Sequence, residues 1–138
     1  MSRMLKGLRV IVLVVALAVV ACGSASSPQP REVVIGEARN GQSVGAHIGD
    51  TLRLTLSRTT WTISGSSDPS VLQAQGEQVV SPAPPGVCFP GMGCGTTTAL
   101  FRALRAGSAT VTATRVSCGE ALRCVGAEGQ YEVVIVVS

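Results

Sequence analysis

The sequence predicts an all-β sandwich, and three observations predict it. Residues 51–57, TLRLTLS, alternate Leu52, Leu54 and Leu56 with Thr51, Arg53 and Thr55, and residues 108–116, SATVTATRV, alternate Ala109, Val111 and Ala113 with Thr110, Thr112 and Thr114. That period of two places one row of side chains in a core and the other in water. Turn signals separate the runs, and no segment of ten or more residues keeps the 3.6-residue helical period. The expected connections are those of an antiparallel Greek-key sandwich.

The other elements follow in chain order. REVVIG (31–36) and TTWTIS (59–64) are short strand candidates, TTTALFRAL (96–104) is a longer one, and QYEVVIVVS (130–138) turns from alternation into a continuous apolar run. The last pattern suits a well-covered final strand. Turns are expected at IGD (48–50), SSDP (66–69), RAG (105–107) and GAEG (126–129). Aromatics are scarce, so Val, Leu, Ile and Ala must build the core, with Trp61 expected inside it.

Residues 1–21 stand apart. Arg3, Lys6 and Arg9 precede an unbroken apolar run from Val10 to Ala21. Twelve residues are too few to cross a bilayer, which takes about 20, and the proportions are those of a signal peptide. The run ends in VVAC (19–22) followed by GSASSPQP, which resembles the lipobox of bacterial lipoproteins. The resemblance implies cleavage before Cys22, lipid on its thiol and acylation of the new N-terminus. Several acyl chains would hold the protein firmly at a membrane, whereas one binds only reversibly. The expected organisation is a signal peptide (1–21), a lipidated flexible tether (22–30) and one β domain (31–138), anchored in a bacterial membrane and facing away from the cytoplasm, periplasmic or at the cell surface.

This organisation changes the charge. The whole chain carries a net +3, all of it in the first 21 residues. The remainder has eight arginines, no lysine and eight acidic residues, so nothing basic marks it for nucleic acid.

Two further resemblances span most of 33–138. GDTLRLTL, then Trp61, SSDPSVL and FRALRAGSATVTA resemble bacterial Ig-like domains of group 2, whose G-x-A-x-(I/V)-T-A strand is matched by Gly107, Ala109, Val111, Thr112 and Ala113. The resemblance implies an Ig-like sandwich. The chain also resembles chagasin-type inhibitors of papain-like cysteine proteases, which carry recognition loops N-P-T-T-G-(Y/F), G-x-G-G and R-P-(W/F) at one end of an Ig-like fold. SRTTW (57–61) keeps Thr59 and Thr60 and has Trp61 at its end. GMGCG (91–95) keeps Gly91 and Gly93 with Cys94 in place of a glycine, and TRVSC (114–118) keeps Arg115. The resemblance implies that Thr59, Thr60, Trp61, Gly91, Gly93 and Arg115 are candidate binding residues. Phe89, Pro90 and Met92 add a small apolar tip that either seats in a partner's groove or folds back onto the sandwich.

Five cysteines are present. With Cys22 assigned to lipid, Cys88, Cys94, Cys118 and Cys124 form two C-x5-C loops. Zinc sites space cysteines more closely and redox pairs read C-x-x-C, so neither metal nor cofactor is expected. Disulfides suit an exported protein, and four thiols allow three connectivities. Gly91 and Gly93 favour a local Cys88–Cys94 bridge, with Cys118–Cys124 as its counterpart. A seven-residue ring stabilises by about 2.4 kcal/mol against about 3.7 for a 31-residue ring. Local pairing therefore gains loop stiffness rather than maximal stability; it either preorganises a binding surface or shields hairpin ends from proteolysis.

No enzyme is expected. His47 is the only histidine, no serine sits in an elbow motif, and Asp50, Asp68, Glu120 and Glu128 are scattered singly. The reading from sequence is a membrane-anchored, non-enzymatic binding or adhesion module for a protein or envelope ligand. The alternative is a chagasin-like inhibitor whose partner is a cysteine protease.

Overall fold

A computed structural model describes residues 29–119 and 121–138. The expected signal peptide, Cys22 and most of the expected tether lie outside the described residues. In chain order the strands are β1 (Glu32–Ile35), β2 (Gln42–Ala46), β3 (Thr51–Ser57), β4 (Thr62–Ser66), β5 (Leu72–Ala74), β6 (Val79–Pro82), β7 (Gly95–Ala103), β8 (Gly107–Thr114), β9 (Ser117–Gly119), β10 (Leu122–Arg123) and β11 (Gln130–Val137). Short 3-10 helices cover Glu37–Arg39 and Gly126–Gly129, the second falling where a turn is expected.

Two sheets face each other. One has the order β1-β3-β7-β5, with β6 also paired to β7, and the other has the order β2-β11-β8-β4. This is the arrangement of an Ig-like sandwich with Greek-key connections, as the sequence predicts. The interior ladders are antiparallel: β3 on β7 from Thr51↔Arg102 to Ser57↔Thr96, and β8 on β11 from Thr114↔Gln130 to Gly107↔Val137. Each sheet also has one parallel edge pair, β1 with β3 and β2 with β11. The strand alternation does not predict these pairs, because they require the N-terminal segment to change sheets.

Local chemistry makes that crossing. Asn40 acts as a substitute strand residue, donating through Nδ2 to Gln130 O and accepting through Oδ1 from Glu132 N. Tyr131 is buried and donates its hydroxyl to Gly36 O at 3.1 Å. Burial, with the nearby Glu37 charge, raises its pKa to about 12. The hydroxyl stays protonated and keeps donating.

The core lies between the sheets. Leu52, Leu54, Leu56, Ala99, Phe101 and Ala103 come from one layer, and Ala109, Val111, Ala113, Val133, Ile135 and Val137 from the other; all are buried. Leu52, Leu54, Leu56, Ala109, Val111 and Ala113 are the inward rows of the predicted alternations. By contrast β11, expected to end as a well-covered strand, alternates to its end and leaves Val136 exposed. Burying a leucine contributes about 2 kcal/mol, so the three in β3 make that strand the anchor of its sheet. The SSDP turn also forms as expected: Asp68 Oδ1 accepts from Ser70 N and Ser70 Oγ.

Candidate functional site

β3 runs from one pole of the sandwich to the other. Its start pairs with β1 near Arg31, and its end delivers residues 58–61 to the opposite pole. Seven residues at about 3.3 Å each separate the poles by roughly 20 Å. The chain leaves β11 at the Arg31 pole as well, where Ser138 N donates to Ala46 O. The segments 58–61, 88–95, 115–119 and 121–125 therefore gather at the pole away from residue 31.

Arg58 starts the first loop with φ +91°, a backbone that a non-glycine residue rarely adopts. It is held there from both sides: Arg58 N donates to Gly95 O at 2.7 Å, and Arg58 O accepts from Thr97 Oγ1 at 2.9 Å. This turn explains why β4 begins at Thr62 and not at 59. Trp61 then closes the core, 4% exposed, with Nε1 donating to Ser57 O at 2.9 Å. The indole is a core residue, so it braces the loops from below and offers no surface to a partner.

Thr59 and Thr60 tie the loops together. Thr59 N donates to Gly93 O at 2.8 Å, and Thr60 Oγ1 donates to Ser117 O at 3.4 Å. A Cβ at Gly93 would stand 2.8 Å from Thr60 Cγ2. The first loop thus sits between the other two and touches both.

Both local disulfides form, Cys88–Cys94 with Cα atoms 6.1 Å apart and Cys118–Cys124 with Cα atoms 4.9 Å apart. The first closes a tip in which Met92 N donates to Phe89 O at 3.3 Å and Gly91 and Gly93 have positive φ. Pro90 and Gly91 are exposed, and Phe89 is 81% exposed. The second closes the small β9–β10 hairpin, where Cys124 N donates to Val116 O at 3.1 Å. Arg115 lies beneath it, its guanidinium carbon 4.7 Å from the Trp61 ring centroid and its Nε donating to Glu128 O at 2.7 Å.

Large apolar side chains stand exposed at the loop pole. Phe89 and Met92 are joined there by Val87, Val116, Leu122 and Val125, all exposed. The last four are missing from the residues singled out by sequence, and no motif marks them; only the register of the hairpins turns them outward. A shallow hollow of about 430 Å³ lies along Val116, Ser117, Leu122 and Arg123. Arg58 was also missed, because its role depends on an unusual φ. Among the described residues, no three His, Cys, Asp or Glu side chains come together where they could hold a metal.

Solved structures share this Ig-like fold. No protein-family profile matches the chain, and no curated protein matches it by sequence. The crystal structure of a cysteine protease inhibitor from Entamoeba histolytica superposes with a TM-score of 0.54 at 10% identity, covering 81% of this chain and all of that one. The solution structure of amebosin gives 0.53 at 13% identity, covering 80% of this chain and all of that one. PbICP-C, solved in complex with falcipain-2, aligns at 0.38 and 13% identity over 81% of this chain and 92% of its own, too loosely to bear on the site.

Proposed function

We propose that this chain is a non-enzymatic inhibitor of papain-like cysteine proteases, held by lipid on Cys22 at the outer side of a bacterial membrane. One observation carries the reading: the three loops convergent at one pole are those that the chagasin-type resemblance marks for recognition. A fold shared with a solved cysteine protease inhibitor supports the inhibitor over the adhesion module that sequence alone favours. The loops meet a mechanical requirement of such a function. A wedge must keep its shape while a cleft closes on it, and ordering a loop costs affinity unless it is already rigid. Here the outer loops are closed by disulfides and the central one is hydrogen-bonded to both neighbours. The exposed apolar tip, Phe89 with Pro90 and Met92, is suited to an apolar cleft.

The lipid anchor rests on VVAC after the apolar run. An anchor entering at the Arg31 pole leaves the loops pointing away from the membrane, toward a soluble partner. The test titrates the detergent-solubilised full chain against papain. Inhibition on the order of nanomolar is expected, since protease–inhibitor interfaces are among the tightest of their size, and it weakens in Phe89→Ala. No inhibition at micromolar concentration refutes the reading. Labelled fatty acid should appear on the protein and be lost in Cys22→Ser.

A further inference from the structure

The two disulfides share a spacing but not a chemical environment. Arg58 Nη1 stands 3.5 Å from Cys94 Sγ and 3.4 Å from Met92 O. The cation is aimed there by a backbone in a disfavoured conformation, φ +91°, pinned through Gly95 O and Thr97 Oγ1. Such strain persists only where surrounding structure enforces it, and it gathers at functional positions. Each disulfide has a backbone carbonyl beside one sulfur, Phe89 O at 3.5 Å from Cys88 Sγ and Glu128 O at 3.9 Å from Cys118 Sγ, so the guanidinium at Cys94 is what sets the first bond apart. Near Cys118–Cys124, Arg115 turns its guanidinium to the Trp61 face and to Glu128 O instead.

A guanidinium beside a sulfur favours its thiolate, and a thiol of lower pKa is the faster leaving group in exchange. We infer that Cys88–Cys94 is an exchange-active disulfide, and that the thiolate it takes is the nucleophilic cysteine of the bound protease; the second step rests on the inhibitor reading. The protease thiolate attacks Cys88 Sγ, beside the exposed Phe89. A new S–S bond forms between the protease sulfur and Cys88 as the Cys88–Cys94 bond breaks. The electron pair departs on Cys94, whose thiolate stays against Arg58. One disulfide replaces another, so no outside oxidant is needed. The Cys94 thiolate remains in the loop and can attack Cys88 to reverse the step. The result is a covalent but releasable trap, with Cys118–Cys124 left as a plain staple.

The experiment has two arms on the detergent-solubilised full chain. In the first, millimolar reduced glutathione is added near neutral pH, and samples are alkylated at intervals and mapped by mass spectrometry. Cys88–Cys94 should open about tenfold faster than Cys118–Cys124, with glutathione on Cys88 and the alkyl label on Cys94. Arg58→Gln should slow this opening and Arg58→Lys should restore it. Equal rates for the two bonds in the unmodified chain overturn the inference without relying on any variant. In the second arm, papain is mixed with the chain in the absence of reductant, and a papain–Cys88 mixed disulfide, dissolved by dithiothreitol, is expected. Inhibition without that adduct overturns the covalent step and leaves the inhibitor reading standing. Absence of any inhibition removes that reading and the trap with it, while the glutathione arm still decides whether the bond is exchange-active.

Discussion

The two poles of the sandwich are closed by opposite means. At the Arg31 pole a buried carboxylate is fully partnered: Asp50, 2% exposed, accepts from Arg31 N at 3.1 Å, Arg31 Nε at 3.2 Å and His47 N at 2.8 Å. His47 Nδ1 and Ser138 Oγ lie 3.2 Å apart beside it. At the loop pole, apolar side chains stand in water and covalent bonds hold their backbone. Both non-glycine residues with positive φ among those described, Arg58 and Ala121, fall in its loops. The Arg31 pole also exposes Ile48, but the loop pole carries the larger exposed apolar surface together with the backbone strain.

The contrast can be broken most strongly at Asp50. Asp50→Ala strands donors that the carboxylate now satisfies and should destabilise the fold by about 3 kcal/mol in chemical denaturation. The same group sets a pH dependence. Burial alone would raise its pKa, but the His47 and Arg31 backbone N–H groups and the Arg31 guanidinium outweigh it and hold the carboxyl below its usual range. A lowered folded pKa means stability that is fully present above the unfolded value of about 3.9 and is lost as pH falls through the folded one. Melting temperature followed down to acid pH should show that loss, and Asp50→Asn should remove Asp50's share of it.

Gly95 tests the loop pole next. With φ +127°, it lies so close to β6 that a Cβ would strike Ser81 O and come within 2.8 Å of Pro82 Cα. Gly95→Ala should cost about 2 kcal/mol and shift Arg58, whose N–H bonds to Gly95 O, so the proposed protease inhibition should fall along with stability. The smallest effect on stability is expected at Phe89. An 81% exposed side chain has little burial to lose, so Phe89→Ala should change the unfolding free energy by less than about 0.5 kcal/mol while weakening inhibition. A loss of stability there would mean that the tip packs on the sandwich.

Legibility in the sequence followed the amount of hydrophobic pattern each segment carries. Residues 51–57 form β3 with the predicted bounds, and β7, β8 and β11 fall within a residue or two of theirs, because long alternations admit one register against a core. β2, β5 and β6 were not foreseen. GQSVGA is broken by glycine, LQA is too short to show a period, and VVSP ends in a proline; each is a strand because a neighbour pairs with it. Of the loop residues, the cysteines were readable because compartment and spacing constrain their chemistry. The outward turn of Val116, Leu122 and Val125 was not, since a two-residue strand such as β10 carries no pattern.

By itself, the sequence determined the fold class and the inward rows of residues 51–57 and 108–116, which rest on short-range periodicity, and it favoured the local pairing of the cysteines among three connectivities without deciding it. Only the tertiary structure decided that residues 58–61, 88–95, 115–119 and 121–125 meet at one pole, that Trp61 lies beneath them, and that Arg58 faces a disulfide while Arg115 turns away from the other. Those facts depend on which strands become neighbours and on a single backbone angle. Local sequence carries no energy term for either until the two sheets have closed on each other.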